Sequence, residues 1–145
     1  MKLCKEQKKK NLGGFTLIEL LVVIAIIGIL ASIVLASLNT ARDRGRDASV
    51  RGSMSQIRAQ AEVFYDSQAT PTYTGMCDPI TAPDVDRLLD AADSNGPTAT
   101  GRTCNAIATA WAASHALNGG NFYCVDSRGV ARNITTNITT ATVCP

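Results

Sequence analysis

The chain has 145 residues, with fourteen lysines and arginines against twelve carboxylates and a formal net charge of +2. A hydrophobic fraction of 46% beside 18% charged residues excludes a wholly disordered chain, and eleven glycines and five prolines exclude a collagen-like repeat. The average charge hides a division. All five lysines fall in the first ten residues, giving residues 1–14 a net +4, whereas residues 15–145 carry nine arginines, eleven carboxylates and a net −2.

Between Lys10 and Arg42 the single ionisable side chain is Glu19, and residues 20–41 run for 22 positions without charge or proline. As a helix this run is roughly 33 Å long, enough to span a bilayer core of about 30 Å. The lysines ahead of it predict a cytoplasmic N-terminus with the rest of the chain outside. A cleaved secretory signal is a poor fit, because its apolar core is about 7 to 15 residues, although Ala36-Ser37-Leu38 offers a weak cleavage site. A plain anchor fits the length but leaves Glu19 unexplained, since an intramembrane carboxylate costs a few kcal/mol unless it lies near the headgroups or has a partner.

The stretch Lys8-Lys9-Lys10-Asn11-Leu12-Gly13-Gly14-Phe15-Thr16-Leu17-Ile18-Glu19-Leu20 resembles the class III signal peptide of type IV prepilins (type IVa-like) and their pseudopilin relatives. The resemblance covers the leader and the apolar run. It implies cleavage between Gly14 and Phe15 by an aspartic prepilin peptidase, N-methylation of Phe15, and an assembly role for Glu19. Elementary chemistry agrees with it. Glycine lets an extended chain enter a narrow active site, and a carboxylate four residues past a new amine can balance that charge within a subunit or on a neighbour.

No helix breaker other than glycine occurs from Phe15 to Gln68, which predicts one helix roughly 80 Å long. Its second half leaves lipid at Arg42-Asp43-Arg44-Gly45-Arg46-Asp47, and Val50, Met54, Ile57, Ala61 and Phe64 then form one apolar stripe. That stripe reads as packing surface. Some assembled type IV pilins unravel near a glycine at the position of Gly28, and many carry a proline where this chain has Ala36. Close helix packing is the competing use of Gly28.

Residues 69–145 hold few large apolar side chains and call for covalent support. Cys4 belongs to the leader, so Cys77, Cys104, Cys124 and Cys144 remain and read as two disulfides. Of the three connectivities, Cys77 with Cys104 and Cys124 with Cys144 is favoured. A zinc site is disfavoured, because there is no CxxC pair and His115 stands alone. Residues 84–92 read as a short helix after Pro83, capped by Asp84, with Val85, Leu88 and Leu89 inward. Asp84, Asp86, Asp90 and Asp93 lack the glycine-bearing loop that calcium needs and read as a solvated face. Alternation from Ile107 through Trp111 and His115 to Leu117 predicts a strand, followed by strands over residues 121–125 and through Ile134. Residues 122–129 resemble a recurring pilin sheet motif. The tandem Asn133-Ile134-Thr135-Thr136 and Asn137-Ile138-Thr139-Thr140 offers threonines to O-linked sugars.

The expected fold is therefore α+β: a long N-terminal helix, half transmembrane and half amphipathic, against a small antiparallel sheet, the type IV pilin fold. Its parts are a leader (1–14), a membrane or filament-core helix (15–41), an amphipathic helix (42–68) and a head with two disulfides (69–145). Ser114 and His115 are no catalytic pair, because adjacent strand residues face opposite ways, and neither an enzyme nor a cofactor is expected. The resemblance implies a pilus subunit that polymerises with its own kind, served by the prepilin peptidase, a platform protein and a cytoplasmic ATPase. It also implies residence in the inner membrane before assembly and in an extracellular pilus afterwards, with adhesion, twitching motility or DNA uptake as outputs. A type II secretion pseudopilin is the first alternative, and the lack of an aspartate-rich calcium loop near the C-terminus weighs against it. A DNA-binding minor pilin is the second. Four arginines against six aspartates in residues 69–145 argue against nucleic acid there.

Overall fold

The computed structural model describes residues 14–97 and 101–145. Helix α1 (Leu17–Ser67) and helix α2 (Pro83–Asp93) precede four strands, β1 (Thr103–Ile107), β2 (Ala110–Ala116), β3 (Phe122–Asp126) and β4 (Ala131–Ile134). The chain divides into two units, residues 1–38 and 39–145.

In the first unit, the part of α1 from Leu17 to Leu38 is continuous helix, and every large apolar side chain on it is exposed. The leader lysines and Cys4 lie outside the described residues. Gly28 stands in open space, with no atom within 4 Å of where a Cβ would be.

In the second unit, α1 buries Asp47, Val50, Met54, Ile57, Ala61 and Phe64, the stripe its spacing predicts. Trp111, Ala113 and Val125 from the sheet and Val85, Leu89 and Ala92 from α2 join that stripe in one core. Each fully buried side chain of this size contributes about 1.5 to 3 kcal/mol. The stripe's polar member, Asp47, accepts from the Asn118 backbone N–H at 2.7 Å and from its Nδ2 at 2.9 Å, tying α1 to the β2–β3 turn. The opposite sheet face has its own cluster, in which Ala112 and Cys124 meet Ile134, Ile138 and Cys144. The tandem repeat is thus a packed tail: its isoleucines, four residues apart, point inward, while Thr135, Thr136, Thr139 and Thr140 remain exposed.

The sheet is an antiparallel meander in the order β1-β2-β3-β4. It has four strands where alternation predicts three, and the segment from Ile107 to Leu117 is a hairpin end followed by a strand. Ile107 pairs with Ala110 across a two-residue turn at Ala108-Thr109, which carries none of the usual Gly, Asn or Asp signals. Moreover, Trp111 to His115 are all buried, because α1 covers one face of β2 and the tail covers the other. At β3–β4, Gly129 takes φ +90°, a conformation that side chains resist. Helix α2 starts one residue earlier than predicted. Its N-cap is Ala82, without a side-chain cap bond, and Asp84 instead pairs with Arg87 within the first turn. The cause is Pro83 at the first helical position, where a fixed φ and a missing N–H suit the start without a capping side chain.

Candidate functional site

Gly14, Phe15 and Thr16 precede α1 in non-helical conformation, so the Gly14–Phe15 bond lies outside the helix. Gly14 meets nothing within 4 Å, and Phe15 is 90% exposed. The helix starts abruptly because Thr16 and Glu19 form a capping box. The Thr16 backbone N–H and its Oγ1 both donate to Glu19 Oε2 at 2.8 Å, and the Glu19 N–H returns a bond to Thr16 Oγ1 at 3.3 Å. The Thr-x-x-Glu spacing in the sequence is the signal for this box, a local role for Glu19 beside that of a charge in lipid. Both bonds fall on Oε2. Oε1 accepts nothing among the described residues, so one oxygen still faces outward for a donor. Beyond the box, Leu17–Ser67 is the one described helix long and apolar enough to cross a membrane.

In the head, disulfides join Cys77 to Cys104 and Cys124 to Cys144. The first ties the loop after α1 to β1, and the second ties β3 to the tail. The aspartates of α2 serve an intramolecular clamp. Arg102, just before β1, meets Asp86 at 2.9 Å, Asp90 at 2.7 Å and Asp93 at 3.1 Å. Partial burial works against the Arg102 charge, but the hydrogen bond to Asp90 and the charges of Asp93 and Asp86 outweigh it and hold the guanidinium above its ordinary pKa. His115 is fully buried, with Nε2 at 2.8 Å from Asp93 Oδ1 and Nδ1 at 2.7 Å from the Ala116 carbonyl oxygen. The Nε2–Asp93 contact ties the end of α2 to β2. Among the described residues, no three His, Cys, Asp or Glu side chains converge as metal ligands.

Ser114 faces away from His115 and donates to Asn137 Oδ1, while Asn137 Nδ2 donates to Thr103 Oγ1 at 2.8 Å. The two Asn-x-Thr copies are therefore unlike, with the amide of Asn137 engaged and Asn133 exposed. Trp111 is a core anchor whose indole N–H has no acceptor among the described residues. Asp126, which falls within the motif over residues 122–129, organises the β3–β4 turn. Its carboxylate accepts from the backbone N–H groups of Arg128, Val130 and Cys144, each at 3.0 Å.

The family description that matches this chain is the prokaryotic N-terminal methylation motif, over residues 9–35. A curated relative, the type IV wide pilus major component PilA4 of Thermus thermophilus, is 56% identical over 55 residues. That match spans 38% of this chain and 42% of the relative's length. No solved structure matches the chain. The motif and the apolar helix behind it stand together at the N-terminus. With the four-stranded antiparallel head they make up the type IV pilin α+β fold, and over the matched stretch the chain resembles a pilus component.

Proposed function

We propose that this chain is inserted in the inner membrane through residues 15–41 with its basic leader cytoplasmic, cut between Gly14 and Phe15, N-methylated on Phe15, and polymerised with other copies into an extracellular pilus. The observation that carries the reading is the exposed apolar surface from Leu17 to Leu38, which no part of the described chain covers. So much apolar area is stable in lipid before assembly and in a bundle of like helices afterwards. The non-helical, exposed Gly14–Phe15 bond supports cleavage there, because a peptidase needs an extended substrate. Glu19 would offer its outward oxygen to the new Phe15 amine of a neighbouring subunit, setting register as copies are added. The prepilin peptidase, a platform protein and a cytoplasmic ATPase are the partners this cycle needs. The outputs would be adhesion, twitching motility or DNA uptake.

The experiment expresses the full chain with and without a prepilin peptidase and weighs the product. The expected product lacks residues 1–14 and carries one added methyl group, and an uncut chain would contradict the reading. Glu19→Ala should be cut normally yet yield few filaments, and normal filaments from it would remove the assembly role.

A further inference from the structure

The buried stripe of α1 has two edges that differ in charge: one carries three arginines, with Glu62 beside Arg58, and the other adjoins the aspartates of α2. One edge adjoins β3 and its turn: the Arg51 guanidinium lies 5.9 Å from the Tyr123 ring centroid, and a Cβ on Gly129 would sit 3.2 Å from Arg58 Nη2. Arg44, Arg51 and Arg58 are seven residues apart, so they form a row along that edge with a rise of about 10.5 Å per step. Arg44 and Arg58 are exposed, and neither pairs with a carboxylate among the described residues. Along the other edge Gln60, Val63 and Ser67 line a cavity with Asp84 and Val85 of α2. There Asp84 and Asp90 turn outward with side chains 66% and 64% exposed. Among the described residues Asp84, Asp86, Asp90 and Asp93 meet two guanidinium groups, those of Arg87 and Arg102, and Asp93 also meets the His115 ring, so four carboxylates stand against two arginines.

We propose that the arginine row of one copy docks against α2 of the next copy, in a head-to-tail contact that repeats along the filament. The inference rests on the subunit reading above and adds to it the surface through which heads meet. A patch on one edge that complements a different patch on the other edge generates a heterologous contact, and repetition of such a contact without closure builds a helical array. A second copy is favoured over a nucleic acid because the same chain carries the acidic complement, whereas a polyanion would be repelled by α2. Each exposed pair is weak. Repeated in every subunit, such pairs fix the register of the heads and make it sensitive to salt.

The test uses the full chain in cells that assemble it. Arg44→Glu/Arg58→Glu removes no side-chain hydrogen bond or ion pair among the described residues, so it separates the contact from folding. Asp84→Arg/Asp90→Arg reverses the other edge. Each variant alone should lower the yield of sheared filaments about tenfold, and the two expressed together should restore it, because reversed edges then meet across alternating copies. Wild-type yield from Arg44→Glu/Arg58→Glu would overturn the contact. So would the same yield accompanied by lost DNA binding, which would assign the row to nucleic acid. A wild-type chain that is cut and methylated but enters no filament would overturn the subunit reading, and this contact with it.

Discussion

Tyr73 shows how one residue reports on the packing between α1 and the loop that follows it. Its hydroxyl donates to Glu62 Oε1 at 2.9 Å, and its ring lies 4.6 Å from that of Tyr65. Burial, followed by the bond to Glu62, pushes its pKa from 10.0 up to about 12. The fold thus favours the neutral phenol. This contribution to stability is complete below pH 10 and is lost as pH rises towards about 12. An absorbance titration of the solubilised chain should show a tyrosine ionising late, towards about pH 12, and Tyr73→Phe should abolish that late step. Asp126 makes a second prediction at this scale. Asp126→Ala leaves three backbone N–H groups without their acceptor and should cost about 3 kcal/mol in a denaturant titration, while Asp126→Asn, which keeps an acceptor oxygen, should cost less. The Tyr73–Glu62 and Asp126–Cys144 bonds were not legible in the sequence, because they join residues brought together by the tertiary fold, whereas the bonds from Asp126 to Arg128 and Val130 lie within one turn. The Thr16–Glu19 box, by contrast, is local, and its spacing could have been read directly.

At the scale of elements, legibility followed the strength of the periodicity. The α1 stripe and its inward face were readable because the 3.6-residue period persists from Val50 to Phe64 on a helix with one covered side. The hairpin between β1 and β2 was not. A central strand covered on both faces loses its alternation, and Ala108-Thr109 lacks turn chemistry. The disulfides bear most directly on this scale, since the cluster on the sheet face away from α1 has five buried residues, and two of them are Cys124 and Cys144. Cys77 and Cys104 are 27 residues apart and Cys124 and Cys144 are 20 apart. Replacing either pair by alanine should cost about 3 kcal/mol, read as a lower melting temperature in the solubilised chain. Loss of both pairs should leave the head without a cooperative transition, because the combined cost approaches the whole stability of a small domain. Gly129→Ala should cost about 1 kcal/mol by the same melts, through its positive φ and the nearby Arg58.

For the whole molecule, the division of charge along the chain acquires a structural meaning. Residues 1–14, with +4, precede a segment whose side chains are apolar and exposed, and the remaining −2 is itself divided between an arginine row and an aspartate-bearing helix. The head spends its buried polar groups on turns and clamps. The most direct test is to shear surface filaments from cells producing this chain and sequence the N-terminus of the main component. The account predicts N-methylated phenylalanine from Phe15, followed by Thr16-Leu17-Ile18-Glu19. Filaments that lack this chain, or that contain it with residues 1–14 still attached, would contradict it.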